Sequence, residues 1–328
     1  IAAPDLEAIK KVHPKNHLAG TLKELEVSAP ETWLPENEDD LRKMAKNELT
    51  FPVLIKPYDQ SSGRGIHKVE DQDELLKYYQ ENHEKFGQQS LIQNIVKGKE
   101  YCYCALYDHG EKKAGMAYQN LFTFPPASGP GAMRETIDSK VFAEVADPLM
   151  RKLNWNGVAE FDFFWNGDDE SLPKLIEVNG RLWGGLFQSV ESGIDFPWLL
   201  FLLTADGSVN TSQTAEIGTK TKLPGTWMIS ALHDIIVNDE NANEIEQKGQ
   251  AALQSLKDGE ILDGLKEFGS YLQAHINEKK NRIEAVTELG RAARSQVLDT
   301  DDPLAGWGFL FILSSLLRHG ELPKEVRF

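Results

Sequence analysis

Two short runs constrain this chain more than any others: Val158-Ala159-Glu160-Phe161-Asp162-Phe163-Phe164 and Leu175-Ile176-Glu177-Val178-Asn179-Gly180-Arg181. Each places acidic or amide side chains inside an apolar, strand-like stretch. A lone carboxylate taken out of water is costly, so such groups are paired or hold a cation. Side chains alternate along a strand, so Glu177 and Asn179 face one way while Ile176 and Val178 face the other. The stretch from Asn166 to Pro173 is rich in Gly, Asp and Ser and reads as a turn. A symmetric hairpin sets Asp162 opposite Glu177, unless a bulge shifts the register. Asp162, Glu177 and Asn179 then converge on one face. Mg²⁺ favours hard oxygen ligands of this kind, completed by substrate phosphates. Arg181 is placed to fork onto a phosphate oxygen. The same pattern also describes a hairpin with one solvated polar face.

The chain has 328 residues, enough for two or more packed units. Its formal charge of −16 argues against nucleic acid as the main partner, since a phosphate backbone requires clustered Lys and Arg. The two cysteines, Cys102 and Cys104, would share a strand face, where a disulfide between them is geometrically poor. They read as free core thiols in a reducing cytoplasm. Phe196 to Leu203 is apolar but far short of the ~20 residues of a membrane span, and no signal peptide is visible. A soluble cytoplasmic protein is expected, with neither a nucleic-acid nor a membrane partner. The chain opens at Ile1 rather than Met, which is read as a fragment or a processed chain.

Along the chain, Ile1 to Trp33 reads as helical, with Leu18, Leu22 and Leu25 at helical spacing. Asp39 to Lys46 is expected as a short charged helix, Phe51 to Pro57 as a buried strand, and Ile66 to Val69 as another strand. Asp71 to His83 reads as a helix starting from an acidic cap. Ser90 to Ile95, Glu100 to Tyr107 and Gly115 to Phe124 read as strands. Pro125 to Ala132 is expected as a loop and Lys140 to Leu153 as a helix. From about Ile229 the sequence turns helical, over Asn241 to Gly290 and again over Gly306 to Leu317, with no strand signal. The mixture of strands and helices implies an α/β or α+β core.

Lys56 ends the strand Val53-Leu54-Ile55-Lys56, and a buried lysine requires an anion or a shifted pKa. Tyr58-Asp59-Gln60-Ser61-Ser62-Gly63-Arg64-Gly65-Ile66 follows. Its small residues let backbone N–H groups approach phosphate oxygens. It is neither a P-loop nor a dinucleotide fingerprint. Because it joins two strands, it fits a flap, or an ordinary hairpin turn.

Lys56 with its glycine loop, followed by Asp162…Glu177-x-Asn179-x-Arg181, resembles the ATP-grasp superfamily between about Lys15 and Gly207. Asn179-Gly180-Arg181-Leu182-Trp183-Gly184-Gly185, Gly193-Ile194-Asp195-Phe196-Pro197, Ser128-Gly129-Pro130-Gly131 with Arg134-Glu135, and Asp301-Asp302-Pro303 resemble its carbamoyl-phosphate-synthase-like branch of carboxylate–amine ligases. The resemblance implies an α+β ATP-grasp fold, two subdomains clasping ATP, with a helical C-terminal appendage. The implied division is a linking segment over 1–50, a flap subdomain over 51–95, a metal-bearing subdomain over 96–228 and a helical region over 229–328.

Roles follow from the resemblance residue by residue. Lys15 and Lys56 match the two nucleotide lysines. Ser61, Ser62, Gly63 and Gly65 match the flap over the β- and γ-phosphates. Gln93, Asn94, Ile95 and Val96 match the hinge that reads adenine, and Glu100 the acid that holds ribose. Asp162, Glu177 and Asn179 match ligands of one or two Mg²⁺ ions, with Mn²⁺ as a substitute. Arg181 and Arg134 match cations over the transferred phosphoryl group. Asn94 departs from a frequent acid, Asn120 from a frequent arginine, Gly180 from a frequent proline and Gly184-Gly185 from a frequent Gly-Ser. An α/β domain of roughly one hundred residues usually precedes this region in the family, and it is expected to be missing here. The implied activity is an ADP-forming ligase that joins a small-molecule carboxylate to an amine. A non-catalytic ATP-binding module, and bicarbonate or thioester chemistry on the same fold, are the alternatives. The helical region is read as capping the core or mediating a homodimer.

Overall fold

The computed structural model describes residues 1–60, 63–123, 129–167, 171–237 and 261–296, with 247–248, 250–251 and 254. Two compact units emerge. The first comprises Ile1–Leu121 and Arg134–Thr219, the second Phe122–Met133 and Lys220–Arg327.

The first unit opens with helices α1 (Leu6–Val12) and α2 (Lys15–Glu24), then strand β1 (Thr32–Trp33). This corrects the expectation of one helical stretch from Ile1 to Trp33. Pro14 cannot donate an i→i−4 bond and disfavours helix at His13, so the helix restarts at Lys15. Lys15 is thereby the first residue of α2.

A small sheet follows, from α3 (Glu38–Asn47), β2 (Val53–Pro57), β3 (His67–Val69), α4 (Gln72–Phe86) and β4 (Ser90–Asn94). Its order is β1-β4-β2-β3, with every pair antiparallel. Leu41, Val53, Ile55, Leu75 and Ile92 fill the core between this sheet and its two helices. Both helices start from side-chain caps, of which the sequence predicted the one at Asp71. Asn37 accepts from the Asp40 N–H and Asp71 from the Glu74 N–H.

The larger sheet of this unit uses β5 (Lys99–Asp108), β6 (Glu111–Thr123), β7 (Gly131–Ile137), β8 (Gly157–Trp165) and β9 (Lys174–Asn179). They lie in the order β7-β6-β5-β8-β9. Strand β7 is a correction, because Gly131 and Ala132 were expected in a loop. The preceding Pro/Gly run masks a strand whose alternation begins only at Ala132. One sheet face carries Tyr103, Tyr107, Phe161, Phe163 and Val178 against α1, α2 and α5 (Lys140–Lys152). The other carries Cys102, Cys104, Met116, Tyr118 and Val158 under α6 (Leu186–Glu191) and α7 (Phe196–Asp206). Cys102 and Cys104 are free, buried and on one face, as their spacing predicts.

The second unit has β10 (Lys220–Lys222), α8 (Pro224–Val237), α9 (Ile261–Ala292) and β11 (Arg294–Ser295). Its described residues are largely helical, as expected. Within it, β10 pairs in parallel with β11, which the sequence did not signal. An Arg282–Asp234 ion pair at 2.9 Å joins α8 and α9. The helix expected over Gly306 to Leu317, the Asp301-Asp302-Pro303 segment and Ser128 lie outside the described residues. Among the described residues no helix is long and apolar enough to cross a membrane.

The packing makes two quantitative expectations. Phe161, fully buried between two tyrosines and Phe163, should lower unfolding free energy by about 3–5 kcal/mol when replaced by Ala. Asp71→Ala, which removes one cap, should cost about 1 kcal/mol. Urea unfolding monitored by circular dichroism checks both, and equal effects of the two would contradict this account of the core.

Candidate active site

The hairpin of β8 and β9 forms in the register that symmetry implies. Asp162 pairs with Glu177 and Glu160 with Asn179. A bulge follows at once, since Phe163 pairs with Leu175 and Ile176 is the extra residue. The bulge restores Leu175 to the core face beside Phe163 while leaving Glu177 and Asn179 on the face of Asp162. Asn179 Nδ2 donates to Asp162 Oδ2 at 3.4 Å. Arg181 Nη2 donates to Asn179 Oδ1 at 3.3 Å and its Nη1 to the Leu182 carbonyl at 3.1 Å, so this exposed guanidinium is tied to the hairpin end.

Glu177 faces Lys15, which the resemblance matched to a nucleotide lysine. Lys15 Nζ lies 3.7 Å from Glu177 Oε1 and donates to the Gln60 carbonyl at 2.6 Å. Lys56 is 8% exposed and donates to Gln93 Oε1 at 2.7 Å, while Gln93 Nε2 donates to Thr32 Oγ1 at 3.0 Å. Burial first, then the nearby Lys15 charge, lowers the Lys56 pKa to about 8, with Glu177 opposing the shift. Lys15, Lys56, Gln93 and Glu177 line one cavity of about 570 Å³, whose apolar wall includes Leu22, Trp33, Ile66 and Ile176. That size and mixture suit a small-molecule site.

Gly63, Gly65, Asn94, Ile95 and Val96 are not among the residues lining this cavity. Gly63 and Gly65 both have positive φ, 71° and 73°. A side chain at Gly65 would also strike Phe86, Pro57 and Asn82, and Asn82 Nδ2 donates to the Gly65 carbonyl at 2.9 Å. The loop is therefore pinned at Gly65 and open at Gly63, where nothing crowds the position. Ser61 and Ser62 lie outside the described residues. Asn94 is held by Glu31: its N–H donates to the Glu31 carbonyl at 3.0 Å and its Nδ2 to Oε2 at 3.1 Å. Ile95 and Val96 continue past the end of β4, Ile95 being exposed.

The metal-side chemistry is broader than the sequence reading. Glu100, Cys102 and Asp162 each bring one ligand atom within 4.8 Å of the others. Cys102 Sγ donates to Asp162 Oδ1 at 3.4 Å. Glu160, which the sequence reading passed over, is 8% exposed on the same face and accepts from the Tyr118 hydroxyl at 2.9 Å. Its i, i+2 spacing to Asp162 was the signal that could have found it. Desolvation, then Glu160, Glu177 and Glu100, pushes the Asp162 carboxyl far above its ordinary range. Desolvation also raises Glu160, against the Tyr118 hydrogen bond and the Arg181 and Arg134 charges, and it raises Glu100 with help from Glu177. Crowded, dehydrated oxygens that repel one another are a donor set suited to a hard divalent cation. The residues present fit Mg²⁺.

Two family models match this chain. Residues 88–223 match "ATP-grasp in the biosynthetic pathway with Ter operon", and residues 24–122 match "D-ala D-ala ligase C-terminus". The two matches together run over residues 24–223, and over that stretch the chain is similar to ATP-grasp ligases. A D-alanine–D-alanine ligase of Oceanobacillus iheyensis is 24% identical over 178 residues, 47% of this chain and 46% of that protein. A carbamoyl-phosphate synthase of Methanobrevibacter smithii is 21% identical over 188 residues, 55% of this chain and 49% of that one. The chain thus spans about half the length of the curated relatives it matches. The fold matches a Campylobacter jejuni biotin carboxylase complex with β,γ-ATP at a TM-score of 0.55 and 19% identity, over 66% of this chain and 51% of that one. It also matches a Thermotoga maritima phosphoribosylamine–glycine ligase at 0.53 and 16%, over 66% and 60%.

The carboxylate cluster has a measurable cost. Folded Asp162 and Glu160 hold protons to higher pH than the unfolded chain does. The metal-free fold therefore loses stability as pH rises from the ordinary carboxylate range towards their raised values. At neutral pH, Asp162→Asn should raise the metal-free melting temperature by about 2–4 °C and weaken Mg²⁺-dependent nucleotide binding at least about tenfold. Calorimetry and nucleotide titration check this, and a destabilised variant that keeps its Mg²⁺ dependence would refute it.

Proposed function

We propose that this chain is the ATP-binding part of an ADP-forming ligase that activates a carboxylate for attack by an amine. The observation that carries the reading is the meeting of Lys15, Lys56 and Glu177 on one cavity, with Asp162, Asn179 and Arg181 at the end of the same hairpin. A nucleotide in that cavity sets its phosphates between the two lysines and the carboxylates. Lys56 and Lys15 offset phosphate charge, and Gln93 holds Lys56 in place. Ile66 and Ile176 offer apolar surface to the base. Asp162, Glu177 and Asn179 would hold one or two Mg²⁺ ions, which when bound neutralise phosphate charge and fix the phosphate geometry. Arg181, exposed at the hairpin end, is placed to swing towards the transferred phosphoryl group.

The substrate carboxylate oxygen attacks the γ-phosphorus, the bond to the β-phosphate oxygen breaks, and ADP and an acylphosphate result. The amine nitrogen then bonds to the acyl carbon, the carbon–oxygen bond to phosphate breaks, phosphate leaves and the nitrogen loses a proton to solvent. The chain's part is positional and electrostatic. The loop at Gly63 and Gly65 closes over the phosphates and keeps water from the acylphosphate.

Two measurements test this reading. Glu177→Gln should abolish Mg²⁺-dependent ADP release over a panel of carboxylates and amines while leaving the circular dichroism spectrum unchanged, and ADP release at the wild-type rate would sink it. Lys56 loses its charge above about pH 8. The kcat/KM for ATP should therefore fall about tenfold per pH unit beyond that point. In Lys56→Arg the fall should vanish, because a guanidinium does not titrate there. An alkaline limb unchanged in that variant would assign it to another group.

A further inference from the structure

Helix α9 turns an apolar stripe to solvent. Leu265, Leu272, Ile276 and Ile283 are each 44–60% exposed. At about 3.6 residues per turn, Leu265 and Ile283 lie on one line along the helix, with Leu272 and Ile276 about 20° to either side. Phe268, also exposed, borders the stripe. The face that packs within the unit is a different one. Glu278 and Val286 are buried there, and Arg282 reaches Asp234 of α8. An apolar line of this length on a polar helix marks a contact surface.

Its spacing says what fits it. Leu265 and Ile283 are equally far from Ala274 along the chain, and so are Leu272 and Ile276. The stripe therefore reads the same in both directions. A two-fold axis at the level of Ala274 that reverses the helix sets Leu265 against Ile283 of a second copy, and Leu272 against its Ile276. An isologous contact requires this self-complementarity. The flanking groups obey the same axis. Lys266 and Glu284 lie on one side of the stripe, about 100° from its line, and the axis brings Lys266 of each copy near Glu284 of the other. Each already holds an exposed pair along its own helix, Lys266 with Asp263 and Glu284 with Lys280, and such pairs contribute little alone. Gly269, where nothing crowds an added side chain, leaves room for the second copy's Lys280.

Length separates this occupant from the chain's own apolar run. The stripe spans about 27 Å at about 1.5 Å per residue, whereas a helix over Gly306 to Leu317 would span about 18 Å. A second α9 matches the stripe from end to end. We infer that α9 is a docking face for a second copy of this chain, paired antiparallel through Leu265, Leu272, Ile276 and Ile283. One helix pair makes a small interface, so association falls in the micromolar range of transient contacts. The inference is independent of the ligase reading.

Sedimentation equilibrium of the full chain, from on the order of 1 to 100 µM, tests the association. The mean mass should rise from that of one chain towards twice that value. Leu272→Glu should weaken association at least about 100-fold and leave the circular dichroism spectrum unchanged, because Leu272 is exposed in the single chain. Orientation is read by mixing Leu265→Cys and Ile283→Cys chains under copper–phenanthroline oxidation. The native cysteines are buried and serve as the blank. The mixture should form a disulfide-linked dimer. Neither variant alone should, since its two introduced thiols would lie about 27 Å apart. A single-chain mass throughout, with the stripe bare or covered by another segment of this chain, would overturn the proposal. So would association undiminished in a folded Leu272→Glu protein, a disulfide in either cysteine variant alone, or none in the mixture. Should Leu272→Glu fail to fold, the cysteine mixture decides.

Discussion

Mutual repulsion among four carboxylates is the constraint on which this chain's arrangement depends. Glu100, Glu160, Asp162 and Glu177 come from three neighbouring strands, and desolvation and like charge raise three of them together. An apolar replacement would be more stable in the absence of a cation. The surroundings show how the charge is contained. Lys15 approaches Glu177, Tyr118 donates to Glu160, Cys102 and Asn179 donate to Asp162, and Arg181 ties off the hairpin end. These are hydrogen bonds and one long ion pair, and none neutralises the cluster outright. A divalent cation would.

The backbone serves the same end. Restarting the helix after Pro14 makes Lys15 the first residue of α2, where it reaches both Glu177 and the Gln60 carbonyl. The bulge at Ile176 lets one strand keep Leu175 and Val178 in the core while presenting Glu177 and Asn179 to the site. Gly185 permits the close approach of the α6 start to Tyr118 and Arg134. Each of these features spends local regularity on the placement of a charged or polar group, which is where departures from ideal structure tend to gather.

Much of this was legible in the sequence, because its signals are local. Alternation put Glu177 and Asn179 on one face, the turn between the two runs set the Asp162–Glu177 register, and the acidic cap at Asp71 marked its helix. What escaped depended on partners distant in sequence. Glu160 looked like one more strand residue until Tyr118, from β6, gave it a hydrogen bond. Cys102 looked like a core thiol, which it is, but its pairing with Asp162 on β8 also makes it a neighbour of the site. Arg134 was named only through the resemblance, since β7 begins behind a Pro/Gly run and gave it no spacing signal of its own. Gln93 was expected to act through its backbone, and what escaped the sequence is its side chain, which steadies Lys56.

The central claim is that the hairpin cluster exists to hold a divalent cation against the phosphates of ATP. A crystal structure with Mn²⁺ and a non-hydrolysable ATP analogue tests it most directly, through the anomalous signal of the metal. The account predicts an anomalous peak about 2.0–2.3 Å from oxygens of Asp162 and Glu177, with the phosphates reaching Lys15 and Lys56. A nucleotide bound elsewhere, or one bound in this cavity with no metal at those carboxylates, would contradict it.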